Sequence, residues 1–486
     1  MEEKKTKENR IAELIKTVRK DPHLASSQLD FPSITEPLAK YISESQFTTI
    51  PDDILELAKR HILDTLVSMV VSTQLKPSRL ARQFAIFNSG KADTAHLLTT
   101  SQTTTLLDAI FANAVTAHAS EINDFCPSAF VQPGPPIIST VLSIGETIEA
   151  SGQEILKAVV IGYEIACRLP KALGTMNLRT AGLSSHGVGP TFGAAAAAAS
   201  LLKLPKRSIG YVLAYCVQQA SGSFNWLRDE EHIEKAFLFA GMPARNGAFA
   251  ALMVHNGFTG VKDPFKGTPN WLLSSIFIGI DSDLDLNKLI HNLGVDYEMP
   301  LVGYKRYPVG GPLQASIEGL IELIKKIDRT SIVKIEIKMP GNTRVFSEAV
   351  MPALNLRYLA AVILEDGDLS FNMAQSHERM STETIREKMD YVTLIHDPNQ
   401  EKEPRIESAL VKVILKNGEH HEIFIEHVLG FPERPMNHQD VENKAKSLIT
   451  PILGHSKANK LIETIWNLES LPNIQSIIPL LIPPDN

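Results

Sequence analysis

The chain has 486 residues, 44% apolar and 21% charged, which suits a globular protein with a large buried core and about two to four domains. A net charge of −7 and a pI near 6.1 give no footprint for nucleic acid or an anionic membrane, so an anionic substrate must be drawn by local cations. Three cysteines without CxxC spacing and no apolar run of ~18 residues argue against a disulfide framework, a structural zinc and a membrane span.

Residues 1–34 read as a charged leader broken by prolines, too acidic for a signal or transit peptide, which points to the cytoplasm. A strong helix follows Pro51, with Asp52 and Asp53 in its first turn and Leu55, Ala58, Ile62, Leu66 and Met69 at helical spacing. Residues 103–120 form another helix, ending at His118. Residues 121–136 hold prolines at 127, 133, 135 and 136 and read as a long polar connection, the kind of loop that often carries function.

Helices are expected over 137–150, 153–169, 193–202 and 208–220, apolar nearly all round and so buried among one another. Residues 184–193, SSHGVGPTFG, read as a flexible entrance to the alanine-rich helix. His186 there is a candidate general base near neutral pH, or else part of a turn whose serines and histidine cap the helix. Residues 226–260 run from an acidic segment through Lys235 to a turn at Gly241-Met242-Pro243, then into a helix carrying Arg245. Cations beside a helix N-terminus suit an anion site; two packed helices joined by a turn is the plainer alternative. His232, within the charged segment, is expected to face water.

Beyond about residue 290 the pattern changes. Residues 333–339 alternate with the period of a half-buried strand, and Asn417-Gly418 separates two strand-like runs as a hairpin turn would. Helices are expected over 349–364 and 381–389, the first carrying Tyr358, and helix returns after His438. The domains drawn from this are the leader at 1–34, a helical domain at 35–296 resumed at 432–486, and an α+β lid at 297–431. Lys305, Arg306 and Tyr307 stand at the start of the lid among glycines, placed to reach a site between the two domains. His118, at the mouth of the loop, is a base or a core histidine with its hydrogen bonds satisfied. No Walker A loop, Rossmann fingerprint, HExxH or nucleophile elbow occurs, so cofactor-free and metal-free chemistry is expected.

From about residue 35 the chain resembles the MmgE/PrpD family of 2-methylcitrate dehydratases, cis-aconitate decarboxylases and an iminodisuccinate epimerase. The resemblance rests on AKRHILDTL, NAVTAHASEIND, GPTFGAAAAAASLLKL, GMPARNGAFAALMVHNGFTG, YKRYP, ALNLRYLAAVILEDG and LGFPERPMNHQDVENKAKSL, in that order. It implies a mainly α fold, with a large all-α domain built from both chain ends and an inserted α+β lid. It also implies a homodimer and a cleft for small di- or tricarboxylates, worked without cofactor. The chain departs from the family's pattern at several positions. Glu121 and Asn123 stand for two acids of the loop motif, Val131 or Gln132 and Gly310 or Gly311 replace two histidines, and Ser184 aligns with a third. Lys235 aligns only if one residue is inserted.

The site these positions imply has His186 as base and Lys235 with Arg245 as anion binders. Asp124 orients or donates, and Lys305, Tyr307 and Tyr358 come from the lid. His118, Ser184 and Glu121 complete the substrate contacts. Dehydration is the first expectation, decarboxylation or epimerisation the next. A carboxylate-binding protein that has lost catalysis is the alternative of another class.

Overall fold

In the computed structural model, residues 33–90, 93–266, 271, 284–401 and 407–484 are described; the expected leader lies outside them up to residue 32. The principal helices of the larger domain are α1 (Thr35–Glu44), α2 (Asp52–Ser72), α3 (Lys76–Ser89), α4 (Leu106–Ala117), α5 (Gly134–Thr147), α6 (Gly152–Leu173), α7 (Ser185–Leu201), α8 (Lys206–Gln219) and α9 (Ile233–His255). α7 lies at the centre, packed on both α6 and α9. Its alanines permit that approach, and a Cβ on Gly193 would come within 2.6 Å of the Gly162 carbonyl oxygen on α6. The glycines of this segment therefore serve close packing, not a flexible entrance, and His186 sits in the first turn of α7.

The expected turn at Gly241-Met242-Pro243 is likewise absent. α9 is one helix whose residues Phe237–Gly241 form a π-turn. Pro243 lacks the N–H that would bond four residues back, and its ring crowds the carbonyl there, so the helix widens. α9 is long and apolar enough to cross a membrane by length and composition, but it packs against α4, α7 and α8 inside the domain. The loop expected over residues 121–136 ends early, because Gly134, Pro135 and Pro136 form the first turn of α5, where prolines are tolerated.

The smaller domain is built on a four-stranded sheet. Its strands are β1 (Ile332–Met339), β2 (Val392–His396), β3 (Ala409–Leu415) and β4 (His420–Ile425), in the order β2-β1-β3-β4. β1 pairs parallel with β2 and antiparallel with β3, and Asn417-Gly418 turns the β3–β4 hairpin. α10 (Gln314–Ile324) and α11 (Leu356–Asp366) cover the sheet, the latter shorter at its start than expected because Pro352–Leu354 is a 3-10 turn.

α12 (His438–Leu453) and α13 (His455–Trp466) then return to the larger domain, where α12 packs on α2. Among the described residues the two large apolar cores follow this path, beside a small third cluster around Ala85, Leu97 and Val115. One takes Ile34 to Tyr304 together with Met436 to Leu481; the other takes residues 307–431 plus Phe125. The fold is thus mainly α, with an inserted α+β unit.

Candidate active site

The connection after α4 is drawn inward instead of lying on the surface. Tyr163 of α6 donates to Asp124 Oδ2 at 2.6 Å, the Gly134 N–H donates to Asp124 Oδ1 at 3.1 Å, and His61 Nδ1 lies 3.1 Å from Oδ2. Lys444 of α12 donates to the Ile122 carbonyl at 2.9 Å and to Asp64 at 2.5 Å. Asp124 is therefore committed to anchoring the loop and is not free to donate or orient at a substrate. With its underside clamped, the loop presents Glu121 and Asn123 between the two domains.

Glu121 is 2% exposed and bonds Lys235 from α9 through one oxygen and Lys305 from the lid, at 3.1 Å, through the other. Burial raises the Glu121 carboxyl, but the two ammonium groups outweigh it and hold the pKa well below the usual carboxylate range. Burial is also the larger influence on Lys305, which is lowered despite Glu121. Two ammonium groups face one carboxylate here, so the buried set carries a spare positive charge and suits a further anion. Glu121 is thus the counter-ion of the lysines, not the substrate contact expected of it.

Three histidines ring this set. His118 Nδ1 meets Asn123 Oδ1 at 2.9 Å. The Asn123 amide nitrogen donates to the Asp124 carbonyl at 3.2 Å and to Gln132 Oε1 at 2.9 Å, which fixes the amide's orientation. Asn123 Oδ1 can only accept, so His118 carries its proton on Nδ1 and leaves Nε2 as a bare base, buried and without a partner. Burial first, and then His232 and the lysines, hold His118 well below an ordinary histidine pKa.

His232 is 5% exposed, not solvated. Its Nε2 donates to the His118 carbonyl at 2.8 Å, and its ring centre lies 5.1 Å from that of His118. Burial lowers its pKa to about 4, with Lys235 adding to the shift against Glu121.

His186 lies flat on Phe239 with ring centres 3.6 Å apart, and His118 stacks on the same ring at 5.0 Å. Lys235 Nζ stands 5.2 Å from the Phe239 ring centre and 5.3 Å from that of Trp226. The π-turn of α9 thus places Phe239 as a shared platform for two histidines and a lysine. His186 Nδ1 is buried with no hydrogen bond, and burial keeps the ring's pKa well below normal.

Of the other expected members, the Ser184 hydroxyl is buried without a hydrogen bond. Arg245 is exposed on α9. Tyr358 gives its hydroxyl to the Met373 carbonyl at 2.6 Å within the lid. Tyr307 is buried and faces a separate cavity of about 580 Å³ with Arg306, Ile122 and Lys444, its hydroxyl unpaired. Ser184 is the buried N-cap of α7, its backbone N–H donating to the Gly222 carbonyl at 3.1 Å. His232 and Asn123 were not legible as site residues. The signal for His232 was its nearness in sequence to Lys235; it lies just outside α9 at a left-handed backbone, so helical spacing does not place it.

His118, Glu121 and His232 offer three ligand atoms within 4.8 Å of one another. They do not suit a metal cation, because both Glu121 oxygens are bonded to ammonium groups that would repel it. The arrangement suits instead a carboxylate held by lysines beside neutral imidazole bases. A cavity of about 470 Å³, lined by Arg228, Glu230, Arg344, Glu348 and Met351, adjoins it through Met351. The Met351 sulfur stands 3.0 Å from His232 Nδ1.

Residues 36–278 match the MmgE/PrpD N-terminal domain and residues 307–470 the MmgE/PrpD C-terminal domain. The chain is 23% identical over 471 residues to human cis-aconitate decarboxylase, covering 92% of this chain and 94% of that protein. It is 21% identical over 479 residues to a cis-aconitate decarboxylase-like protein of Aspergillus oryzae, covering 92% and 97%, and equally to cis-aconitate decarboxylase of Aspergillus terreus, covering 92% and 96%.

Proposed function

The chain belongs to the MmgE/PrpD family, and from that premise we propose that it is a cofactor-independent lyase that dehydrates a small hydroxy di- or tricarboxylate. The observation that carries this reading is the bare, buried Nε2 of His118, its tautomer set by Asn123, beside two lysines with one counter-ion between them.

In this reading a substrate carboxylate enters against Lys235 and Lys305 and takes up the spare positive charge. Lowering the charge on that carboxylate favours removal of a proton from the neighbouring carbon, and His118 Nε2 takes it. The C–O bond to the hydroxyl at the next carbon breaks as the C=C bond forms. A lysine ammonium protonates the departing hydroxide, so water leaves. Lys305 suits that step, since burial has lowered the cost of losing its proton. The proton held on His118 returns to the lysine through solvent when the product departs. His118 takes the base role in place of His186 because only His118 has a partner that orients it.

The names of the relatives favour a second reading, decarboxylation of an unsaturated tricarboxylate. There the same lysines would bind the retained carboxylates, and a protonated group would deliver a proton to carbon as carbon dioxide leaves.

One experiment separates the two readings. The protein is incubated in deuterated water with hydroxy di- and tricarboxylates and with their dehydrated counterparts, and proton and carbon NMR follow exchange, alkene and bicarbonate. Alkene with solvent exchange from a hydroxy acid supports dehydration. Bicarbonate from the unsaturated acid supports decarboxylation. Neither exchange nor product with any of these acids overturns both and leaves a binding protein.

A further inference from the structure

His232 is built into the site at a conformational cost. It lies at φ +60°, ψ 22°, a left-handed backbone that few residues other than glycine adopt, with asparagine, aspartate and histidine the least rare of them. Such strain persists where the surroundings hold it, and here they hold the imidazole. Its Nε2 donates to the His118 carbonyl at 2.8 Å, and a carbonyl only accepts, so the neutral ring carries its hydrogen on Nε2 and none on Nδ1.

The two atoms found against Nδ1 among the described residues carry no hydrogen to offer. One is the Met351 thioether sulfur at 3.0 Å and the other is Glu121 Oε1 at 3.8 Å, on a carboxylate kept ionised by two lysines. Nδ1 is thus a buried acceptor with acceptors around it, aimed at the place where the lysines would hold a substrate. Met351 also lines the 470 Å³ cavity, so its sulfur is the contact between that cavity's wall and His232 Nδ1.

We propose that His232 is a specificity-determining residue for hydroxy acids: its Nδ1 accepts the hydrogen bond of a substrate hydroxyl, in the place that the Met351 sulfur takes here. The inference rests on the carboxylate reading above and narrows it. A buried acceptor that a substrate hydroxyl satisfies is left unpaired by the same acid lacking that hydroxyl, and such sites reject the lacking analogue strongly. A substrate without the hydroxyl leaves Nδ1 with no donor and pays for displacing Met351 without return.

The test compares pairs of acids that differ by one hydroxyl, citrate against tricarballylate and malate against succinate, with binding measured calorimetrically. Wild type is expected to bind the hydroxy member of at least one pair roughly 10- to 100-fold more tightly. His232→Gly relieves the left-handed backbone, so it keeps the fold, and is expected to bind both members within about threefold of each other. A preference that survives in His232→Gly overturns the proposal, as does a wild type that binds both members equally; in either case the carboxylate reading stands. A wild type that binds none of the four acids removes the carboxylate reading and this inference together.

A second measurement needs no turnover and no variant to bind. In protein labelled with nitrogen-15 at histidine, the His232 signal, identified by its loss in His232→Gly, is expected to show a bare Nδ1 that shifts on addition of the preferred acid. An Nδ1–H tautomer in the free protein overturns the proposal.

Discussion

His186 and Phe239 stack face to face, ring centres 3.6 Å apart and planes within 10°. Phe130 and Trp226 meet the same imidazole edge-on, at 5.1 and 6.1 Å. An imidazole in an aromatic box with Nδ1 unpartnered behaves as a packing group. His186→Phe is therefore expected to keep turnover within about tenfold of wild type, whereas His118→Phe loses the base and falls by about 100-fold or more.

The same box makes a prediction about pH. Burial depresses the folded pKa of His186 well below its unfolded value of about 6.5, so on acidification the unfolded chain takes a proton that the folded chain refuses. Stability tied to this residue is complete above about pH 6.5 and is lost as pH falls below it. Phenylalanine cannot titrate, so the stability of His186→Phe relative to wild type should rise between pH 7.5 and pH 5, by up to about 1.4 kcal/mol per unit once well below pH 6.5. Taking the difference between the two proteins cancels Glu164, which burial raises to about 7 and which acts in the opposite direction. Urea titrations at a series of pH values give the gap, and a constant gap would sink the argument.

What was legible in the sequence divides along contact range. Apolar periodicity, the alternation of β1 and the Asn417-Gly418 turn are local signals, and the helices and strands they marked are present, most within a few residues, though α7 starts well before the expected residue 193 and α11 well after the expected residue 349. Segments 184–193 and 241–243 misled because their glycines and prolines read as turns. The structure uses Gly193 for helix contact and Pro243 to widen α9. Asp124 and Tyr358 looked available because sequence does not reveal that Tyr163 and the Met373 carbonyl engage them from 39 and 15 residues away. His232 was hidden by its neighbours. A run of charges reads as solvated, yet this residue turns inward through a left-handed backbone that no propensity announces.

Asn123 is the amide that sets the tautomer and orientation of His118, which burial keeps neutral. Asn123→Asp replaces it with a carboxylate, which stabilises the imidazolium form of His118 and raises its pKa. A base must be unprotonated to act, so the acid limb of kcat/KM should move to higher pH. The second carboxylate oxygen would also face the Asp124 carbonyl and Gln132 Oε1, costing about 1–3 kcal/mol of stability. A pH profile with an unmoved acid limb would remove Asn123 from its orienting role.

The π-turn, wider than an α-helical turn, sets the direction in which Lys235 leaves α9 relative to the residues after Gly241. Deleting Phe237, whose side chain is 44% exposed, should convert the π-turn to ordinary α-helix. Each residue of α-helix turns the chain by about 100°, so Lys235 would rotate away from Glu121 while the helix survived. Circular dichroism is expected to show undiminished helix, with turnover lower by about 100-fold or more. Turnover near the wild-type level in a folded deletion protein would mean that Lys235 does not act from its present position.

Glu121 is the sole carboxylate bonded to both Lys235 and Lys305 among the described residues, and Glu121→Gln keeps its shape while removing its charge. Two buried ammonium groups would then lack a counter-ion, a situation that costs roughly 3–5 kcal/mol. The protein can escape part of that cost by releasing a proton. Lys305 is already lowered by burial and would lose the raising influence of Glu121, so its folded pKa falls further below the unfolded value of about 10.4. The unfolded chain then binds more protons than the folded one, and the stability deficit of Glu121→Gln should shrink as pH rises from 7 toward about 10. An added polycarboxylate supplies the missing negative charge directly, so it should raise the melting temperature of Glu121→Gln more than that of wild type. Thermal unfolding of both proteins, with and without citrate at pH 7 and pH 9, measures all three effects. A variant as stable as wild type at pH 7 would show that the two lysines are not both charged in the folded protein, and the anion site argued from their spare positive charge would go with it.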